Sequence, residues 1–136
     1  MREIKFRAKC FDGYWVYGDL HLLCDQPHIH TAESPFPYAG KRKFIDPDTI
    51  GQFTGLYDKD LKEIYEGDIV CITDNENEDS SNSVVKFRRG VFGVENWTKK
   101  VLTTLSFFML DSNKDEPEYS VKVIGNIYDN PNLKED

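Results

Sequence analysis

Glycine-containing turn signals divide this chain into short segments and leave no room for a long helix. Asp12-Gly13, Gly67-Asp68 and Gly90 are each flanked by segments rich in β-branched and aromatic residues. Short strands joined by such turns are typical of antiparallel β proteins. The sequence therefore predicts a mainly β fold, arranged as a small, SH3-like and partly open antiparallel barrel.

Residues 1–43 are predicted to form a β-hairpin followed by a long loop. In REIKFRAK, the apolar residues Ile4, Phe6 and Ala8 alternate with charged ones, as a half-buried strand requires. After a turn, YWVYGDLHLL resumes β-forming residues and supplies the second strand. Residues 26–43 contain three prolines and show no sustained period, which predicts a loop.

Residues 44–136 are predicted to form a barrel-like β region. Residues 50–56, 63–65 and 69–73 favour strands, and SVVKFRRGVFGVENW predicts a strand, a turn and a strand. Residues 75–83 carry no apolar side chain, which predicts a solvated loop. The predicted core consists of apolar strand residues: Ile69, Val70, Ile72, Val85, Phe87, Val121, Val123 and Ile127.

The C-terminal third holds one ambiguous segment and one clear strand. Apolar residues recur at helical spacing across residues 101–110, but Thr103 and Thr104 favour an extended chain, so helix and strand both stay open. The segment YSVKVIGNIYDNP predicts a final strand with a bulge or bend at Gly125. Asn130-Pro131 ends that strand.

The charge of the chain argues against nucleic-acid binding. The 136 residues carry a formal net charge of −7, with +2 on residues 1–43 and −9 on residues 44–136. Basic side chains that neutralise phosphates dominate nucleic-acid affinity, so this field repels a polyanion.

The length fits a single domain spanning residues 1–136. Three cysteines without paired spacing, and no secretory or membrane-spanning segment, predict a reduced cytoplasmic protein.

Three segments resemble the signature segments of the YopX family. They are REIKFRAK at the start, QFTGLYDKDLKEIYEGDIV in the middle and VIGNIYDNPNL at the end, in the family's order and spacing. The resemblance covers about the whole chain and thins in the loops. It implies a small accessory protein encoded by a bacteriophage or prophage. It implies no catalytic residue, because the family has no established biochemical activity.

The chain departs from the family pattern at one turn. Asp60-Leu61 stands where the family commonly has Asn-Gly, which suits a type I′ turn because both residues take positive φ. Leucine in that conformation costs about 1–2 kcal/mol. We therefore expect a longer or differently typed turn here.

Three acids near the middle of the chain invite comparison with an acid-base site. Glu63, Glu66 and Asp68 would serve as general acid and base only if burial or mutual repulsion shifted their pKa values. Aspartate beside glycine in a turn commonly bonds its own backbone, which is a complete structural role. We predict that Gly67 and Asp68 form a structural turn and that the chain is not an enzyme.

The segment CDQPHIH contains metal-ligating residue types. His28 and His30 would share a face of an extended chain, with Cys24 four residues before the first. The spacing matches no strong zinc pattern, and closing a site would need a second pair such as Cys10 and His21. We therefore predict no metal and no cofactor.

Basic and aromatic residues are interleaved near the N-terminus. Such a pattern can hold single-stranded nucleic acid, contact a partner protein, or form a solvated strand face. The residues concerned are Lys5, Arg7, Lys9, Tyr14, Trp15 and Tyr17. The negative total charge makes nucleic acid the weaker of the two binding alternatives.

These patterns predict a non-enzymatic phage or prophage accessory protein that binds a host or phage protein. One alternative is a nucleic-acid-associated β-barrel that uses the basic N-terminal strand. A metal-dependent or acid-base enzyme is the third. The sequence leaves open whether the protein forms a homo-oligomer, and no membrane partner is expected.

Overall fold

The computed structural model describes residues 2–31, 45–96, 101–109 and 115–135, and within them the chain is mainly β structure, as predicted. The strands are β1 (Phe6–Lys9), β2 (Trp15–Leu23), β3 (Gln26–His30), β4 (Gly51–Tyr57), β5 (Glu63–Tyr65), β6 (Asp68–Asp74), β7 (Asp79–Arg88), β8 (Val91–Asn96), β9 (Val101–Thr104) and β10 (Tyr119–Asn126). Short 3₁₀ turns occur at Pro47–Thr49, Leu105–Met109 and Pro131–Glu135. No helix in the described ranges has the length and apolar character needed to cross a membrane.

The strands form two antiparallel five-stranded sheets that are not closed into a barrel. The first has the order β3-β2-β1-β4-β5, and the second has the order β10-β6-β7-β8-β9. The chain divides into two compact units, Met1–Gly55 and Leu56–Asp136, and the division falls inside β4. The predicted boundary after residue 43 lies outside the described residues, and the single domain stays a prediction.

The unit Met1–Gly55 contains a strand where the sequence analysis placed a loop. Residues 26–30 form β3, which pairs with β2 along its whole length. Cys24 and Asp25 have φ of +51° and +63°, the positive pair that closes a two-residue hairpin. Pro27 is tolerated because β3 is an edge strand, whose outer side needs no N–H donors. The rest of the predicted loop, residues 32–43, lies outside the described residues.

The unit Leu56–Asp136 has its core on one face of the second sheet. The predicted core residues Ile69, Val70, Ile72, Val85, Val121 and Val123 are buried, and Ile127 is half-buried. The prediction that Phe87 belongs to the core is wrong, because its side chain is about half exposed. It lies opposite Phe92 near the end of the β7–β8 hairpin, and the two ring centroids are 5.0 Å apart.

The ambiguous segment contains both predicted structures in succession. β9 ends at Thr104, and a 3₁₀ turn follows at Leu105–Met109 with Leu105 fully buried. Leu110 lies outside the described residues. The predicted irregularity at Gly125 is confirmed, because the register of β10 against β6 shifts between Val123 and Gly125.

The polar segment 75–83 is a loop only in its first part. The Asp74 carboxylate accepts hydrogen bonds from the backbone N–H groups of Glu76 (3.0 Å) and Asn77 (3.2 Å), which closes a tight turn. Residues 79–83 then belong to β7 and pair with β6. These residues are polar although they belong to a paired strand, so the prediction of a solvated loop is wrong for them.

A buried carboxylate, that of Asp58, organises the turn between β4 and β5. Asp58 is 5% exposed, and its Oδ1 accepts from the backbone N–H groups of Asp60 (2.8 Å) and Lys62 (2.9 Å). Its Oδ2 accepts from the backbone N–H of Val123 in β10 (2.9 Å). Three donors thus satisfy a carboxylate that burial would otherwise penalise.

The β4–β5 turn differs in type from the family's two-residue turn, as expected, yet it does not avoid strain at Leu61. The N–H of Leu61 donates to the carbonyl of Asp58 (3.0 Å), and the N–H of Asp58 donates to the carbonyl of Lys62 (2.8 Å), giving a three-residue loop. Leu61 has φ of +64° and is 81% exposed. A leucine therefore occupies the left-handed position that glycine usually takes in this loop.

Replacing Leu61 by glycine should stabilise the protein. Glycine removes about 1–2 kcal/mol of left-handed strain and costs about 0.5–1 kcal/mol of unfolded-chain entropy, so Leu61→Gly should raise the free energy of unfolding by roughly 0.5–1 kcal/mol. Lys59→Gly, at a neighbouring exposed position whose φ is not positive, should lower it. Urea denaturation measures both, and a destabilised Leu61→Gly would contradict this description of the turn.

Candidate functional site

The three acids of the middle segment lie at a structural bend. Gly67 has φ of +87°; its N–H donates to the carbonyl of Val85 (2.9 Å), and its carbonyl accepts from the N–H of Ile127 (2.9 Å). The buried Asp68 carboxylate accepts from the backbone N–H of Tyr65 (2.8 Å), the second residue before Gly67. Gly67 and Asp68 thus both hydrogen-bond to neighbouring segments at this bend, and their role as a purely structural turn stays a prediction.

The half-buried Glu63 and Glu66 flank the same bend. The Glu63 carboxylate accepts a hydrogen bond from the hydroxyl of Tyr65 at 3.3 Å. Glu66 also has interactions within the fold. The Glu63 carboxylate is therefore hydrogen-bonded within β5.

The residues considered for zinc are spread over the β2–β3 hairpin. Cys24 is exposed at its turn, whereas Cys10 is buried in the core of its unit. His21 lies opposite His28, and the rings of His21 and His30 stack with centroids 4.9 Å apart. Among the residues that the structure describes, no group of three His, Cys, Asp or Glu side chains could hold a metal ion.

Four of the six basic and aromatic residues near the N-terminus lie on one face of β1 and β2, whereas Lys5 precedes β1 and Tyr14 lies in the turn. Arg7 lies opposite Tyr17, and Lys9 lies opposite Trp15. The Arg7 guanidinium carbon is 4.7 Å from the Trp15 ring centroid, and Arg7 is only 6% exposed. Cation and ring thus contact each other inside the fold, which leaves this pair poorly placed to stack a base and bind its phosphate.

Lys5, immediately before β1, also contacts an aromatic ring. Its Nζ lies 5.2 Å from the centroid of the Phe53 ring and 3.2 Å from the Glu3 carboxylate. The Glu3 contact is solvent-exposed and contributes little energy. The basic strand therefore interacts with aromatic and acidic side chains of its own unit.

The turn between β1 and β2 holds two aromatic side chains in solvent. Phe11 is 72% exposed and Tyr14 is 68% exposed. The turn is held by hydrogen bonds from the N–H of Cys10 to the carbonyl of Tyr14 (2.8 Å) and from the N–H of Gly13 to the carbonyl of Cys10 (2.9 Å). A further bond joins the N–H of Tyr14 to the Asp12 carboxylate (3.2 Å). We call residues 11–14 the aromatic turn.

Sequence reasoning identified Tyr14 but missed Phe11. The signal was present, since an apolar residue immediately before Asp12-Gly13 cannot continue the buried face of β1 once the turn begins. Tyr17, in β2, is also exposed. The predicted surface residues therefore separate into a packed group around Arg7 and Trp15 and an exposed aromatic group.

Sequence reasoning also missed a pocket of about 150 Å³ in the unit Leu56–Asp136. It lies on the face of the second sheet that also carries the core, and hydroxyl groups, aromatic rings and two carboxylates line it. The lining residues are Ile72, Asp74, Asp79, Ser80, Ser81, Ser83, Val94, Thr103, Phe108 and Tyr119. The serines were missed because their segment was assigned to a loop.

Two ionisable groups of this pocket have shifted pKa values. Hydrogen bonds from the side chain and backbone of Asn77 hold the pKa of Asp74 below its usual value, and a bond from the Glu76 backbone adds to this effect. Desolvation raises the pKa of Tyr119, and the negative charges of Glu118, Asp74 and Glu76 raise it further. The pocket therefore carries a fixed negative charge beside a protonated phenol.

Comparison with known proteins identifies relatives of this chain over nearly its full length. Residues 5–135 match a family model described as YopX protein. The structure is similar to the crystal structure of protein yopX from Bacillus subtilis, with a TM-score of 0.50, 20% identity, and coverage of 99% of this chain and 100% of that one. It is also similar to protein EF1440 from Enterococcus faecalis, with a TM-score of 0.59, 22% identity and the same coverage. No curated protein sequence matches the chain.

The bend at Gly67 yields a stability prediction with a matched control. A Cβ at Gly67 would lie 3.2 Å from the Tyr128 ring, whereas a Cβ at Gly90 would have nothing within 4 Å. Both glycines have similar positive φ, +87° and +81°. Gly90→Ala should therefore lower the free energy of unfolding by about 1 kcal/mol from backbone strain alone, and Gly67→Ala by about 2 kcal/mol or more. Equal losses in urea denaturation would show that packing against Tyr128 has no role at this bend.

Proposed function

The chain belongs to the YopX protein family, and from this membership we propose that it is a non-enzymatic accessory protein of a phage or prophage that binds another protein. The aromatic turn is the observation that carries the proposal. Exposed side chains of this size are costly to hydrate and are enriched at the centres of protein interfaces. The partner is a host or phage protein, with a second copy of the chain as the other candidate.

The hydrogen bonds of the aromatic turn support a binding role. Side chains that must be ordered on association cost about 0.5–1.5 kcal/mol each, and a preorganised backbone reduces part of that cost. Gly13 has φ of +96°, and the Asp12 carboxylate bonds the N–H of Tyr14, so the backbone between Phe11 and Tyr14 is fixed before any partner arrives. Rigid aromatic side chains of this kind are typical anchors of recognition surfaces.

The environment of the acids supports the non-enzymatic part of the proposal. The two buried carboxylates among the described residues are those of Asp58, which accepts from the backbone N–H groups of Asp60, Lys62 and Val123, and Asp68, which accepts from that of Tyr65. A carboxylate so engaged is held by the fold and is poorly placed to accept a substrate proton. Nucleic-acid binding is the weaker alternative, because Arg7 and Lys5 already contact aromatic rings and the chain carries a net charge of −7.

Affinity capture of the tagged full chain from its producing cells, with mass spectrometry, tests the proposal. Wild type should retain a specific protein, and Phe11→Ser combined with Tyr14→Ser should lose most of it, because each anchor contributes about 1–2 kcal/mol or more. Leu22→Ser is the matched control, since Leu22 is similarly exposed in the same unit but lies away from the turn. Thermal melts should show that both variants remain folded.

Three results would contradict this function. One is an identical set of captured proteins for wild type and the double variant, and another is the absence of any specific protein. The third is tight binding of single-stranded nucleic acid near physiological salt that Lys5→Ala with Arg7→Ala abolishes. That last result would assign the protein to nucleic acid instead.

A further inference from the structure

The inward face of β7 changes from apolar to polar along the strand. Alternate residues of a strand share a face, so Val85, Ser83, Ser81 and Asp79 lie on the same side of the sheet. Val85 is fully buried in the core, and Ser83 is buried as well. Core-facing strand positions are normally apolar, so hydroxyls at two successive positions leave a recess where a core would otherwise continue.

The neighbouring strands complete this recess with apolar walls. Ile72 of β6 lies directly opposite Ser81, and Val94 of β8 lies opposite Val85. The 3₁₀ turn after β9 contributes Phe108, whose ring meets the Tyr119 ring edge to face with centroids 5.1 Å apart. The resulting volume of about 150 Å³ suits one small ring or a short alkyl chain, since an apolar cavity of about this size holds benzene.

The charge at this pocket has one sign. Asp74 at the end of β6 and Asp79 at the start of β7 lie opposite each other, and both line the pocket. Among the lining residues that the structure describes, none is a lysine or an arginine. Desolvation is the main cause that raises the pKa of Tyr119, and the negative charges of Glu118, Asp74 and Glu76 raise it further. Such a field repels anions and attracts cations.

Hydroxyl oxygens and carboxylates accept hydrogen bonds, and aromatic faces attract cations. An ammonium group has three donors and no acceptor, and a short apolar stem would fill the rest of the volume. A bare metal ion fits less well, because the described residues hold no suitable group of three ligands and much of the lining is apolar. The lining is thus matched to a small amphipathic cation.

We infer that this pocket binds a primary ammonium group on a short apolar stem. The stem lies against Ile72, Val94 and Phe108 at the buried end near Ser83, and the ammonium group lies toward Ser81 and Asp79 at the rim. The ammonium group belongs either to a free small amine or to a lysine side chain of a peptide, because both present the same chemistry. This inference is independent of the aromatic turn, which lies in the other unit of the chain.

Titrations of the isotope-labelled full chain, followed by amide chemical shifts, test the inference. The probes are benzylammonium, Nα-acetyl-lysine methylamide, benzyl alcohol as the neutral isostere and benzoate as the anion of similar size. At least one of the two ammonium probes should bind saturably and shift the amides of Ser81, Ser83 and Val94. Benzyl alcohol should bind about tenfold more weakly, and benzoate should not bind. The tighter of the two ammonium probes identifies the source of the group.

Variants separate this pocket from general surface attraction. Asp79→Asn should weaken ammonium binding about fivefold to tenfold, because it removes a carboxylate from the rim. Asp60→Asn removes the same charge from an exposed position outside the pocket and should leave binding unchanged. Ser81→Val should also weaken binding by occupying the recess, and its spectrum reports whether the fold is kept.

The inference is wrong if neither ammonium probe binds saturably at millimolar concentration. It is equally wrong if benzoate binds as well as benzylammonium, or if Asp79→Asn and Asp60→Asn weaken binding to the same extent. None of these three outcomes depends on whether the aromatic turn has a protein partner.

Discussion

The buried carboxylate of Asp58 is the interaction on which the unit Leu56–Asp136 most depends. It accepts three backbone N–H groups, two from its own turn and one from Val123, which is 65 residues away in sequence. Removing the carboxylate would leave the buried N–H of Val123 unsatisfied, which costs about 1–3 kcal/mol. A single side chain thus fixes the conformation of the β4–β5 turn and joins that turn to β10.

The other side-chain and glycine contacts extend this arrangement to the pocket. Asp68 ties Tyr65 to the start of β6, and the backbone of Gly67 bonds both Val85 of β7 and Ile127 beyond β10. These bonds hold β6, β7 and β10 in the register that brings Tyr119, Asp74 and Asp79 together. A small β unit without long helices relies on such turns, because its core alone buries limited apolar area.

The sequence predicts the features of this protein that are local, and it fails where the cause is distant. The alternation of apolar and charged residues predicts β1, and Gly125 predicts the bulge of β10. Both signals are local, because hydrophobic period and backbone freedom depend on neighbouring residues. The role of Asp58 could not be predicted from the sequence, since the third N–H that its carboxylate accepts belongs to Val123 in a distant strand. Ser81 and Ser83 were assigned to a loop because hydrophobic period is the signal for a strand, and a strand that lines a pocket lacks it.

Native-state hydrogen exchange in wild type and Asp58→Asn tests the central role of this carboxylate most directly. The remaining oxygen should turn toward the two N–H groups of Asp60 and Lys62, so the new amide would face the N–H of Val123 and leave it without an acceptor. We expect the Val123 amide to lose far more protection than the Gly67 amide, which bonds Val85 and serves as the internal reference. Unchanged protection at Val123, or equal losses at Val123 and Gly67, would contradict the account.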